Sequence, residues 1–313
     1  MSKTVKRRWS AALLAVLLFI SAFFTYGPKY DDRIPSWDKI YSIFRLSDSS
    51  DEIYNCPFTV TYIDVGQGDA SLIHTEDCSI LIDAGSAGNE ERIRAVMNAA
   101  GAAKLDYVIA THPHEDHIGS MAAVIQNAET ENLIIAQPDM SLLDDESLYK
   151  NFLSAAYTCG ANVISARPGT EYVCGSVHIQ IMAPVSERAD DLNDFSVVVR
   201  ITYGTTSFIF MGDAQEAEES TLLSYGNALH ADVLKAGHHG SSSSSTEAFV
   251  KCVMPKAAVI SCGRNNDYGH PHAQTLKTFQ KNGIEIFRTD EQGNIVIGSD
   301  GKSVVMPKNQ LQT

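Results

Sequence analysis

Positive charge is scarce in this sequence. Its 313 residues include 24 Lys and Arg against 38 Asp and Glu, a formal net charge of −14. Lys3, Lys6, Arg7 and Arg8 account for four of the bases, and no acid precedes residue 27, so residues 27–313 hold 20 basic against 38 acidic groups, a net −18. A protein that grips nucleic acid without regard to sequence usually presents a basic face. Composition supplies none here, which counts against strong polyanion affinity and leaves only a local basic groove open. Long apolar runs are also few. Ala11 to Phe24, apolar except for Ser21, is the one stretch that approaches membrane length, so the chain has too few spans to form a transport channel. It has no internal repeat at a solenoid period. No cysteine pair has zinc-ribbon spacing, and no Leu-x-x-Cys lipobox follows the apolar run.

The basic residues ahead of that apolar run make a signal-type N terminus. Phe23, Phe24 and Tyr26 crowd the place where a small-x-small cleavage site would lie. We therefore expect residues 1–26 to be an uncleaved signal anchor. The positive end would stay inside and the remainder outside the cytoplasm, at the cell membrane on a single pass; secretion after cleavage is the alternative. Residues 27–55, with Gly27-Pro28, Pro35 and Ser47-Asp48-Ser49-Ser50-Asp51-Glu52, read as a linker. Residues 56–308 form one domain with enough apolar content for a large core. Outside the cytoplasm, disulfides are allowed. Six cysteines permit fifteen pairings, of which the sequence-neighbour pairs Cys56–Cys78, Cys159–Cys174 and Cys252–Cys262 are attractive; buried free thiols are the competing reading.

From Phe58 the pattern becomes regular. Strands are expected at 58–64, 70–74, 79–83, 105–110, 133–136 and 162–166, then at 177–182, 196–203, 207–211, 231–235 and 257–261, with short ones at 284–288, 294–297 and 303–306. Helices are expected at 90–100 (with Asn89 as N-cap), 146–158, 214–225, 247–253 and 273–282. Two runs of strands, each passing into strand–helix alternation, fit an α/β fold of two sheets packed face to face with helices outside.

The chemistry concentrates at Thr111-His112-Pro113-His114-Glu115-Asp116-His117-Ile118-Gly119, between an apolar strand and a helix. His112 and His114 project to one side of an extended segment; Asp116 and His117 follow a turn and address a second point. Imidazoles mixed with carboxylates suit zinc, manganese or iron better than calcium or magnesium. Asp213 ends the apolar run 208–211, and His238 and His239 follow the apolar pair Val233-Leu234. Asp64, Gln67, Asp69 and Asp83 lie at strand ends, and Gly66 and Gly68 suggest a tight turn whose amides could hold a phosphate. His270, with His272 behind it, sits in a donor-rich loop and could protonate a leaving oxygen.

HxHxDH is the signature of the metallo-β-lactamase superfamily, and the chain resembles its members. Ile63-Asp64-Val65-Gly66-Gln67-Gly68-Asp69-Ala70, Asn193-Asp194-Phe195-Ser196, Met211-Gly212-Asp213, Val233 to Ser241 and Tyr268-Gly269-His270-Pro271-His272 narrow the resemblance to the hydrolase domain of the ComEC DNA-uptake proteins, in the same order, over about Phe58 to Ile297. The resemblance implies a four-layer αβ/βα sandwich and two divalent metal ions, zinc or manganese. His112, His114 and Asp213 would hold the first; Asp116, His117, His238 and the bridging Asp213 would hold the second. Asp83 would support the site, and His239 would bind substrate or support a ligand. The superfamily's usual further histidine is absent from the interval before Asp213, where Asn193-Asp194 stands; Asp194 either supplies an oxygen ligand or is a simple loop residue. The implied activity is hydrolysis of a phosphodiester, plausibly DNA, by a metal-activated hydroxide outside the cytoplasm, with Asp116 and His270 as catalytic residues and the membrane reached through the N-terminal segment. Hydrolysis of a small ester, lactam or phosphodiester is the second reading, and a non-catalytic membrane-tethered component of DNA uptake is the third. Nothing points to a protein partner.

Overall fold

The computed structural model describes residues 53, 55–138, 140–143, 145–185 and 191–307. The expected anchor and nearly all of the linker lie outside these residues. Among the described residues, no helix is long and apolar enough to cross a membrane.

The first half of the domain builds an eight-stranded sheet. Phe58–Tyr62 (β1), Ser71–Thr75 (β2) and Ser79–Ile82 (β3) run antiparallel. Lys104–Ala110 (β4), Glu129–Ile135 (β5) and Asn162–Ser165 (β6) continue parallel to β3. The second half builds a seven-stranded sheet. Glu171–Cys174 (β7), Val177–Ile181 (β8), Val199–Tyr203 (β9) and Thr206–Phe210 (β10) are antiparallel. Val233–Lys235 (β11), Ala257–Ile260 (β12) and Glu285–Arg288 (β13) follow in parallel. Ile295–Ser299 (β14) and Val304–Val305 (β15) return to the edge of the first sheet beside β1.

Period-2 patterning sets which face is buried. Along β1, Phe58, Val60 and Tyr62 are fully buried and alternate with part-exposed threonines. They meet the second sheet directly: the Phe58 ring stacks on Tyr203 at 5.0 Å and Tyr62 on Phe210 at 5.8 Å. This inter-sheet core is the first of three apolar clusters. The second lies between the first sheet and Glu90–Ala100 (α1), Met121–Asn127 (α3) and Glu146–Cys159 (α4); Glu115–Ile118 (α2) is a single turn before α3. The third lies under Glu216–Leu222 (α5), Glu247–Val253 (α6) and Ala273–Lys281 (α7). The four layers are thus helix, sheet, sheet, helix. A last turn, Thr289–Gln292 (α8), precedes β14.

Local chemistry sets both ends of α4. The Asp145 carboxylate accepts from the amides of Ser147 and Leu148, and α4 stops at left-handed Gly160. Three expectations need correction. Asn89 occupies the N-cap of α1 but makes no side-chain cap bond. The helix expected over 214–225 is α-helical only over α5 and continues as 3-10 turns from Leu223, which kink at Gly226 (φ 55°). Strand β7 was not expected at all; it is a short edge strand whose Val173 is exposed.

The cysteine pairing also differs from expectation. Cys78, just before β3, is bonded to Cys174 at the end of β7, 96 residues later. Cys159, Cys252 and Cys262 are free thiols. The packing of one sheet on the other brings distant strand ends together, which overrides nearness in sequence. The bridge joins the two sheets directly.

Candidate metal centre

The carboxyl ends of β3, β4, β10, β11 and β12 converge on one side of the sandwich, where ligands of parallel sheets gather. Asp83 follows β3 in a left-handed backbone conformation (φ 57°) and is fully buried. That strained geometry aims its carboxylate at the metal loop. Oδ1 accepts from the Thr111 amide at 2.8 Å; Oδ2 accepts from the Thr111 hydroxyl at 2.7 Å and from His117 Nδ1 at 2.8 Å. The bond at Nδ1 leaves His117 Nε2 facing the centre.

His117 Nε2 lies 3.2 Å from Asp213 Oδ1 and 3.3 Å from His239 Nε2. His239 Nε2 is in turn 3.2 Å from Asp116 Oδ2 and 3.3 Å from Asp213 Oδ2. Asp69, His117, Asp213 and His239 offer ligand atoms all within 4.8 Å of one another. His112 Nε2 is 3.9 Å from Asp213 Oδ2 and 2.9 Å from His114 Nδ1. His238 Nε2 is 3.8 Å from the same Oδ2.

The histidine pair therefore divides differently from the strand-end expectation. His239 is the buried, central one. Its Nδ1 donates to the Ser261 carbonyl at 3.1 Å and lies 3.2 Å from Asp69 Oδ1. The His238 side chain is 24% exposed and its Nδ1 meets the Ser243 hydroxyl at 3.0 Å. Both residues have positive φ (49° and 53°), so β11 has already ended and a left-handed turn decides their directions. Asp194 is turned away from the centre. Its Oδ1 accepts from the Gln215 amide at 3.0 Å, and the Glu218 amide also bonds its carboxylate, so it caps α5. Its neighbour Asn193 lines the cavity instead.

Lys235 was not singled out from the sequence. It is 1% exposed, and its ammonium meets Asp69 Oδ2 at 2.7 Å and the Ala236 carbonyl at 2.9 Å. Lys235, Asp69 and His239 thus form a buried chain ending at the centre. The glycine turn before Asp69 has a structural use. A Cβ on Gly68 (φ 130°) would lie 2.3 Å from the Asp116 carbonyl oxygen, so glycine is required where the turn backs the HxHxDH loop. Two amides of this turn are already used: Asp69 N donates to Asp116 O at 3.1 Å and Gly66 N to Asp64 Oδ1 at 3.2 Å.

The residues fit a cation. Asp213 Oδ1 is buried and accepts no hydrogen bond, an expensive state without positive charge nearby. Burial would raise the Asp213 carboxyl, yet His239 and His117 hold it well below the usual carboxylate range. Burial would likewise raise Asp116, and His117 and the bond to His239 lower it. For His117, burial opposes charge, but Asp213 and Asp83 raise it well above the ordinary imidazole value. The donor set calls for positive charge at one point. A divalent cation supplies that charge to imidazole and carboxylate donors of this kind.

The centre opens into a cavity of about 530 Å³. His270 lines it, its ring 5.5 Å from that of His238. Burial, then His239 and His238, push His270 down to about 4, which favours the neutral ring at neutral pH. The serine loop beside His238 is tied to α5 by Glu219, whose carboxylate accepts from Ser245 N at 2.5 Å and Thr246 N at 2.9 Å. Burial, partly offset by those bonds with Thr246 and Ser245, raises Glu219 to about 7. Between the ordinary carboxyl value of 4.5 and about 7 the folded chain keeps a proton that the unfolded chain has lost. Glu219 therefore makes stability fall as pH rises across that window, with no further loss above it. The expected result is that Glu219→Gln flattens this part of the Tm-against-pH curve, measured beside the parent protein; an unchanged slope contradicts it.

The comparisons with known proteins agree with this architecture. "ComE operon protein 3" of Bacillus subtilis (strain 168) is 30% identical over 254 residues, spanning 75% of this chain and 32% of that protein. "Competence protein ComA" of Neisseria gonorrhoeae is 31% identical over 243 residues, spanning 76% of this chain and 32% of its own length. The chain thus covers about a third of these relatives. Among solved structures, the metallo-beta-lactamase fold protein YhfI from Bacillus subtilis superposes with a TM-score of 0.51 at 17% identity, covering 76% of this chain and 98% of that one. CmlA, a diiron beta-hydroxylase from Streptomyces venezuelae, gives 0.52 at 14% identity, covering 74% and 52%. Both likenesses concern the fold. The family described as "Metallo-beta-lactamase superfamily" matches residues 63–264, and the chain belongs to it.

Proposed function

We propose that the chain is a binuclear metallohydrolase that cleaves phosphodiesters outside the cytoplasm, with zinc or manganese as its metals. The observation that carries this reading is the buried Asp213 carboxylate, unbonded at Oδ1 and ringed by His112, His117, His238 and His239. In this scheme Asp213 would be shared between two metal positions. His112 and His114 serve the first, and His238, which reaches the same Oδ2, takes the place of the histidine missing from the Asn193-Asp194 interval. Asp116, His117 and His239 serve the second. Divalent cations held there would supply Lewis acidity, lowering the pKa of water toward neutrality and offsetting charge on the scissile group. The chain does the rest. Asp116, held ionised by His117 and His239 despite its burial, orients the attacking water together with Asp213. His270 donates its ring N–H to a substrate oxygen. Asp83 and Asp69 fix the ring directions of His117 and His239.

The location rests on two supports. The Cys78–Cys174 bridge between the sheets suits an oxidising compartment, and residues 1–26 have the sequence of a signal anchor. The similarity to a competence protein favours a nucleic-acid substrate, although the cavity lining contains Glu115, Asp116, Asp145 and Asp213 and, among the described residues, no Lys or Arg. A panel of single- and double-stranded DNA, a small phosphodiester and a carboxylic ester tests the reading, with manganese- or zinc-loaded protein and His114→Ala as control. Phosphodiester cleavage lost in the variant is expected. Cleavage of the carboxylic ester alone would overturn it.

A further inference from the structure

The cavity has one aromatic feature that the centre does not use. Among the described residues, Tyr268 is the only exposed large apolar side chain that also lines the cavity, at 67% exposure. Leaving a large ring exposed at a mouth is informative where a scattered surface leucine is not. Its loop is held rigid by other groups. The Asn266 amide donates to the carbonyls of Gly263 (2.9 Å) and His270 (2.6 Å), and its oxygen accepts from His270 N (2.9 Å). His272 Nδ1 accepts from Ser242 N at 2.8 Å and its Nε2 donates to the Tyr268 carbonyl at 3.2 Å. The Tyr268 ring is backed by His270, with centroids 5.6 Å apart and planes at 21°. The result is a preset two-ring platform reaching from the rim toward the metal centre.

The charge of the mouth limits what can use that platform. Among the described residues, four carboxylates and no Lys or Arg line it, so these residues offer no countercharge to phosphates flanking the scissile one. Arg264, at the start of the same loop, is turned to the Asp290 carbonyl by bonds of 3.0 and 3.2 Å. Affinity must then come from the cations at the centre and from contacts that do not depend on charge. A planar base next to the scissile phosphate provides one, because every base has a face to stack. Inside a duplex both faces are already occupied, and exposing one costs unstacking.

Resting on the phosphodiester reading above, we propose that Tyr268 backed by His270 is a base-stacking subsite, so that the centre takes nucleotidyl phosphodiesters from single strands or strand ends in preference to duplex interiors. Stacking on a protein ring corresponds to roughly ten- to a hundred-fold in affinity.

The test uses the metal-loaded full chain and two esters with the same leaving group, thymidine 5′-(p-nitrophenyl phosphate) and methyl p-nitrophenyl phosphate. They differ only in the nucleoside. Tyr268→Ala is expected to lower the ratio of kcat/KM for the nucleotidyl over the methyl ester roughly ten- to a hundred-fold, mainly through KM, and Tyr268→Phe to restore it. A ratio unchanged in Tyr268→Ala, or a Phe variant as impaired as Ala, overturns the subsite. Binding of a single-stranded phosphorothioate oligonucleotide carrying 2-aminopurine gives a readout independent of turnover. Quenching that Tyr268→Ala loses supports stacking, and equal quenching in both proteins refutes it. If neither ester is cleaved by the parent protein, the phosphodiester reading fails and the fluorescence still decides the subsite.

Discussion

Asp213→Asn is expected to lower phosphodiesterase activity on the order of 10³-fold or more, since several kcal/mol of charge stabilisation are lost and each 1.36 kcal/mol is tenfold in rate. The substitution keeps the shape of the side chain and its place after β10, where the Asp213 amide donates to Ser196 Oγ at 2.9 Å. It removes the charge. Oδ2 lies between 3.3 and 3.9 Å from the Nε2 atoms of His239, His238 and His112, and Oδ1 is 3.2 Å from His117 Nε2. A neutral amide cannot answer four imidazoles or bridge two cations. The check is kcat together with metal content in parent and variant. Retention of both metals with activity within tenfold would remove Asp213 from the bridge.

Lys235→Met is expected to cost about 3–5 kcal/mol of stability, the usual result of leaving one half of a buried ion pair. Lys235 and Asp69 are 1% and 4% exposed, and their contact is 2.7 Å. Burial would raise Asp69, but Lys235 and then His239 hold it below its ordinary value. Without the ammonium, Asp69 keeps a proton or a buried charge, and in either case its hold on His239 changes. Metal affinity should therefore fall about 10–100-fold as well. Denaturant unfolding and a chelator competition measure the two effects. The double variant with Asp69→Asn should recover much of the stability, because the orphaned charge is gone. A single variant as stable as the parent would show that the pair carries no such burden.

The sequence made some parts of this centre legible and hid others for identifiable reasons. The HxHxDH loop was readable because its donors are local and follow an apolar strand. Asp213 stands at the end of the run 208–211, but a Gly-Asp pair after a strand is weak evidence by itself, and its role came from the family resemblance. The two-sheet sandwich followed from alternation such as that of Phe58, Val60 and Tyr62. The histidine pair was not resolved. Extrapolating a strand direction favours His238, whereas the left-handed turn at both residues puts His239 at the centre. Lys235 looks like the polar end of β11, and its meaning depends on Asp69 from the first half of the chain. Glu218 and Glu219 resemble solvated residues of a helix's first turn, yet both are 1% exposed; the loops they anchor come from elsewhere in the sequence. The Cys78–Cys174 bridge needed knowledge of which strand ends meet across the sandwich. In each case a long-range contact decided between local alternatives.

The binuclear centre is tested most directly by metal content. Full-length protein purified with manganese or zinc and freed of loose ions should be analysed by inductively coupled plasma mass spectrometry against protein concentration from amino-acid analysis. The account predicts two metal ions per chain. Fewer than one per chain would contradict it.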